Sequence, residues 1–187
     1  SVRYLKDDAE LETYLIDEGV DGATLDLADG ARMAGHDLLA LVQSARGAKA
    51  NIERLAARAP AFAIEQAALA GLLGNGEDVA EAARRLDLYA EEGDGAWEGH
   101  EAEGGGYAFS RVRRGVSERL VLDEVLLNAA DARRLAERAA AMSETFAKPA
   151  VFTRRDRTTK IRGPLDLVNA VMENGRRGLS IQRYKGL

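Results

Sequence analysis

From Leu38 to Ala59 the apolar side chains Leu38, Leu41, Val42, Ala45, Ala48, Ile52, Leu55 and Ala59 step by three and four, and Pro60 follows at once. That spacing sets all of them on one stripe of an α-helix. A proline cannot prolong it, because it lacks the N–H and its ring collides with the preceding turn. The stripe predicts a helix from Asp37 to Arg58 that buries one face over about six turns. Whatever the rest of the chain does, it has to cover that face.

The cover comes in two textures. Residues 61–73 and 77–92 read as two further Ala/Leu helices separated by "GNGE", where glycines free the backbone to turn. Then "WEGHEAEGGGYAFSRVRRGVSERLVLD" alternates with period two, carrying Tyr107, Phe109, Val112 and Val121, and breaks at Gly104 to Gly106 and at Gly115. That pattern predicts about three antiparallel strands. Helical spacing returns with Asn128 as N-cap, Asp131 three residues on, and the stripe Leu135, Ala139, Met142, Phe146.

The two ends are mixed. A short strand over Val2 to Leu5 precedes a helix capped by Asp7 or Asp8 and ending at Gly19; a hairpin follows around Asp29-Gly30. Near the other end, "AVFT" reads as a short strand. Gly163, Pro164 and Asp166 take the N-cap, N1 and N3 positions of a last helix that turns Leu165, Val168, Val171 and Met172 inward and closes at Gly175. The terminal "GLSIQRYKGL" reads as strand-like. The fold class is α+β, several amphipathic helices packed on a small antiparallel sheet.

With 46% apolar but only 5% aromatic residues, the core has to be built mainly from Ala, Leu and Val. The absence of Cys excludes a disulfide framework and a Cys-based zinc site, and His36 and His100 do not make up a metal set. No basic-then-apolar leader opens the chain, and no apolar run approaches the ~18 to 20 residues of a membrane span. The expectation is a soluble, cytoplasmic protein with no membrane partner.

Catalytic constellations are not apparent. "GNGEDV" and "EGGGYAF" are rich in glycine, but neither follows a strand and opens a helix as a phosphate-cradling loop does. The acidic runs "KDDAELE" and "YAEEGDGAWEG" lack a spacing that would converge oxygens on one ion, so no catalytic and no metal-ligating residue is assigned. Trp97, Tyr107 and Phe109 alternate near Arg111, Arg113 and Arg114, as a base-stacking sheet would, but the favoured reading is that these rings form the core face of that sheet, since the surrounding helices need something to pack on.

Charge is segregated. Residues 146–187 hold ten Lys and Arg against three acidic residues, a net of +7, while residues 1–145 carry −12. Arg154, Arg155, Arg157, Lys160 and Arg162 crowd into the loop "TRRDRTTKIRG", where guanidinium forks and an ammonium group suit phosphates. The same loop suits an acidic protein surface, and both readings stand on sequence grounds.

The run "RRGLSIQRYKGL", residues 176–187, closely resembles the signature of the bacterial type II topoisomerase ATPase subunits, in which Q-R-Y-K-G-L-G-E-M belongs to the metal-binding Toprim region. "YLKDDAELETYLIDEGVDGATL" resembles the segment that follows the catalytic acidic cluster in that family. What lies between looks, in length and element order, like the large insertion in the DNA gyrase B subunits of many Gram-negative bacteria. The resemblance implies a Toprim flank over 1–25, an insertion domain over 26–175, and a second flank over 176–187, with the end of the chain an interrupted strand of the host domain.

It further implies an ATP-dependent, Mg²⁺-using enzyme that supercoils DNA, built from the remainder of the gyrase B subunit together with the gyrase A subunit. The metal-binding acids, the ATP site and the DNA-cleaving tyrosine would lie elsewhere in that enzyme, so the chain itself would hold no cofactor and be inactive alone. Carried over residue by residue, the motif is Gln182, Arg183, Tyr184, Lys185, Gly186 and Leu187. With Arg183 and Lys185 added, the expected DNA-binding set is Arg154, Arg155, Arg157, Lys160, Arg162, Arg183 and Lys185. The expected role is a non-catalytic domain that positions DNA or neighbouring domains, or alternatively a structural buttress between the gyrase B and gyrase A chains with no DNA contact.

Overall fold

The computed structural model describes Leu5 and residues 7–184, the last five of these by their backbone alone. The strand expected over Val2 to Leu5 therefore lies, Leu5 apart, outside the described residues. The fold is α+β. In chain order it runs α1 (Asp8–Val20), β1 (Ala23–Asp26), β2 (Arg32–Ala34), α2 (Gly35–Leu55), α3 (Ala61–Leu69), α4 (Val79–Leu86), β3 (Glu98–Glu101), β4 (Tyr107–Arg113), β5 (Val116–Leu122), α5 (Glu124–Asn128), α6 (Ala130–Met142), β6 (Ala150–Arg154), β7 (Arg157–Ile161) and α7 (Pro164–Tyr184). No helix among the described residues is long and apolar enough to cross a membrane.

Two compact units result, one from Ser1–Arg46 with Lys148–Leu187, the other from Gly47–Ala147. The stripe on α2 serves both: Leu38, Val42 and Ala45 are fully buried in its first half, Ala48 and Ile52 in its second.

In the discontinuous unit an antiparallel sheet has the order β2-β1-β6-β7. The turn between β1 and β2 holds Asp29, whose carboxylate accepts from the Ala31 N–H, and Gly30 at φ 94°, as the Asp-Gly pair predicts. Register sets Leu25 beside Phe152, both buried, whereas Thr24 and Thr153 pair on the opposite face. Asp7 caps α1 by accepting from the Glu10 N–H at 2.8 Å.

α1 packs along α7, and two glycines decide how closely. A Cβ on Gly19 would overlap the carbonyl oxygen of Val171, and a Cβ on Gly175 would overlap that of Leu15. The Asn174 amide donates to the Gly19 carbonyl at 2.8 Å across the same seam. Gly175 is thus a contact residue and not a stop. The helix continues through it to Tyr184, and residues 178–184, expected as strand, are helical. The physical reason is that Gly175 and Leu179 extend the spacing of Val168, Val171 and Met172, so the helical face persists where an isolated heptapeptide suggests alternation.

The continuous unit is built on the sheet β3-β4-β5, with α4 packed against β3 and α3 packed against α4 and α6. The β4–β5 turn is the two-residue kind with both central residues at positive φ, Arg114 at 51° and Gly115 at 79°. Phe109, Leu122, Leu126, Leu135 and Phe146 form the core. Asn128 ends α5 instead of capping α6, whose N-cap is Ala129. Asp123 has taken the capping role at α5 by accepting from the Leu126 N–H, while Asp131 is bound by Asn51 at 2.9 Å and Arg54 at 2.8 Å.

Arg85 is buried at 4% exposure, and its charge is answered from several sides. It donates to the Gln66 side-chain oxygen at 2.9 Å and to the carbonyls of Phe146 and Ala147. Gln66 and Tyr89 in turn donate to Glu65, also buried. Burial pulls the Arg85 guanidinium below its ordinary range, opposed by the Glu81 and Glu65 carboxylates.

Candidate nucleic-acid interface

The basic segment is not a loop. Arg154 ends β6, Arg157 begins β7, and the two are register partners that close a hairpin with Arg155 and Asp156 in its turn. Arg155 sits at φ 58°, a left-handed conformation that non-glycine residues seldom adopt. The β-branched Thr158, Thr159 and Ile161 favour the second strand. Only Ile161 of β7 is buried, because β7 is the outer strand of the sheet.

Two of the five cations are engaged within the fold. Arg154 donates from Nε to the Asp21 carbonyl at 3.0 Å, a cation at the C-terminal end of α1 where the helix dipole favours it. Arg162 wraps Asp166 in the first turn of α7: its backbone N–H and Nε both donate to Oδ2, at 2.9 and 2.7 Å, and Nη2 reaches Oδ1 at 3.3 Å. Arg155, Arg157 and Lys160 are exposed, and none is in an ion pair among the described residues.

The hairpin tip faces a groove of about 720 Å³. One wall is Arg154, Arg155, Asp156 and Arg157, and the other is Glu173, Asn174, Arg176, Arg177 and Gly178 on α7; Glu18 and Asp21 close the α1 end. The structure therefore brings Arg154, Arg155 and Arg157 together with Arg176 and Arg177. Lys160 and Arg162 are not in that lining. Arg183 lies in the last turn of α7 with Gln182 and Tyr184, whereas Lys185, Gly186 and Leu187 lie outside the described residues.

The sequence alone does not bring Arg176 and Arg177 to the site, because a helix that ends at Gly175 leaves them in the segment that follows. The signal that finds them is the continuation of the apolar spacing to Leu179. Both reach Glu173, Arg176 at 3.8 Å and Arg177 at 3.6 Å, with all three side chains about half exposed.

The aromatic sheet resolves differently. Trp97 and Phe109 are buried, so these rings belong to the core. The Arg111 guanidinium lies 4.5 Å from the Trp97 ring centroid and pairs with Asp94 at 3.3 Å and Glu118 at 3.1 Å, which covers the ring. The acidic residues before β3 serve the same end: Asp87 accepts from the Trp97 backbone N–H, and Glu91 and Asp94 hold Arg113.

Over all 187 residues the chain is 70% identical to the DNA gyrase B subunits of two strains of Caulobacter vibrioides. The chain belongs to the DNA gyrase B family. A more distant relative, the DNA gyrase B subunit of Rickettsia conorii, is 27% identical over 194 residues that take in 98% of the chain. The chain spans 23% of the length of the Caulobacter relatives and 24% of the Rickettsia one. No family model matches it. The arginine groove thus lies in a chain that spans about a quarter of these relatives' length and forms two compact units, of which the discontinuous one carries the groove.

Proposed function

We propose that this chain is part of an ATP-dependent, DNA-supercoiling type II topoisomerase and serves in it as a non-catalytic insertion domain that positions DNA against its neighbours. Residues 26–175 form the insertion, and 1–25 and 176–187 are the flanks that join it to the Toprim region. The packing of α1 along α7 supports this, since it holds elements near the two ends of the segment side by side. Mg²⁺ and ATP act elsewhere in the enzyme. The partners are DNA, the gyrase A subunit, the remainder of gyrase B, and no membrane.

The observation that carries the DNA role is the convergence of Arg154, Arg155 and Arg157 with Arg176 and Arg177 on one groove. Guanidinium groups on two walls can meet phosphates of one backbone, which positions a duplex without reading its sequence. In the complete gyrase complex, changing Arg154, Arg155 and Arg157 together to Ala weakens DNA binding. The log–log salt dependence becomes shallower by roughly 2 to 3, about one unit for each phosphate that is no longer neutralised. An unchanged affinity and slope would refute the DNA role and favour a structural buttress between gyrase B and gyrase A, for which the commitment of Arg162 to Asp166 is the supporting observation.

A further inference from the structure

The charges lining the groove nearly cancel. Five arginines face the carboxylates of Glu18, Asp21, Asp156 and Glu173, so a lone small anion entering it meets little net field. The two walls differ in readiness. Arg155 and Arg157 at the hairpin are in no ion pair among the described residues, whereas Arg176 and Arg177 share one carboxylate, Glu173. Glu173 lies one turn before both arginines on α7, the orientation in which a helical glutamate attracts a following cation best.

The 3.8 and 3.6 Å separations exceed hydrogen-bond length, and the side chains are about half exposed. Such pairs are weak and yield to a stronger acceptor. A phosphate accepts forked, charge-assisted bonds from guanidinium better than a shared, solvent-exposed carboxylate does.

We propose that Glu173 is a built-in counter-ion that gates this groove: it holds Arg176 and Arg177 until a phosphodiester backbone, already engaged by the hairpin arginines, displaces it. This rests on the reading above that the groove meets DNA, and it names how that contact is regulated. The ligand is a chain of linked phosphates and not an isolated one. Only a chain can occupy the hairpin wall and the α7 wall together, so that the first contact raises the effective concentration of the second. Glu173 then sets a threshold that short or singly charged anions do not cross.

The test compares two substitutions that remove equal charge from the same groove in the complete gyrase complex. Glu173→Gln frees two arginines; Glu18→Gln frees none, because Glu18 is in no ion pair among the described residues. Breaking two exposed pairs corresponds to roughly twofold to thirtyfold tighter duplex binding at low salt, with a salt slope steeper by up to about 2. E18Q gives a smaller gain and an unaltered slope. In E173Q/R176A/R177A the gain disappears, and circular dichroism reports an intact fold throughout.

Equal effects of E173Q and E18Q, or a gain that survives loss of Arg176 and Arg177, would overturn the gate. So would inorganic phosphate that competes with the duplex at matched ionic strength. If E173Q behaves like E18Q while the Arg154/Arg155/Arg157 variant still weakens binding, the gate fails and the DNA role stands. A hairpin variant that binds as the unaltered complex does overturns both.

Discussion

Gly175→Ala tests whether the α1–α7 seam is set by backbone contact. In an exposed helix the change stabilises by up to about 1 kcal/mol, because alanine loses less backbone freedom. Here the new methyl would overlap the Leu15 carbonyl oxygen and lie 2.9 Å from its carbon and 3.0 Å from its Cα. Those atoms belong to the α1 backbone and cannot swing aside, so the helices must part. Parting loosens Leu15, Ile16 and Val20 against Val168, Val171 and Met172, all buried, and stretches the Asn174 bond to Gly19.

Overpacking of this kind costs about 1–3 kcal/mol, and the strained hydrogen bond adds roughly 0.5–1.5 kcal/mol. After the propensity gain the expected net loss is about 1–3 kcal/mol, or a fall in Tm of roughly 3–10 °C for a chain of this size. Gly178 lies one turn on in the same helix, exposed, with nothing within 4 Å of a Cβ. Gly178→Ala is therefore expected to raise stability by about 0.5–1 kcal/mol. Thermal melts and urea titrations of the two variants read the contrast directly. Two shifts of the same sign, or a G175A chain as stable as the parent, would refute the close-approach argument.

Arg85→Ala leaves the Phe146 and Ala147 carbonyls and the Glu65–Gln66 pair without their buried cation, and is expected to cost about 3–5 kcal/mol in urea unfolding. Acid should unfold the continuous unit through three carboxylates. Asp123 is held below the usual range by the Arg58 side chain and then by the Leu126 N–H, Asp131 by Asn51 and then Arg54, and Asp94 by the Glu91 N–H and then by Arg113 and Arg111. With folded values below the unfolded value of about 3.9, the unfolded chain binds more protons between the two. The contribution is therefore complete above pH ~5 and lost as pH falls through the folded values. Urea midpoints measured from neutral pH downward should drop over that interval, and Asp→Asn at all three positions should flatten the drop.

The long helix was legible because its stripe is uninterrupted from Leu38 to Leu55, and the β3–β5 meander because glycines bracket its alternation. β7 was not, since an outer strand exposed along Arg157 to Lys160 shows no alternation and reads as a charged loop. Gly175 misled for the opposite reason: a glycine that ends a helix and one that lets two helices touch look alike until the second helix is placed. The site inherited both errors. The hairpin arginines were found by their crowding, but Arg176 and Arg177 join them only through the continued α7, a relation between residues distant in sequence.

The order of synthesis gives the sheet topology a further meaning. β1 pairs on one side with β2, which follows at once, and on the other with β6, which lies beyond the whole of Gly47–Ala147. With elongation at about 5–20 residues per second, Leu25 waits on the order of ten seconds for Phe152. A two-stranded hairpin alone is marginal in water. The continuous unit emerges whole in that interval, so β1 gains its second neighbour only after the intervening unit has been made.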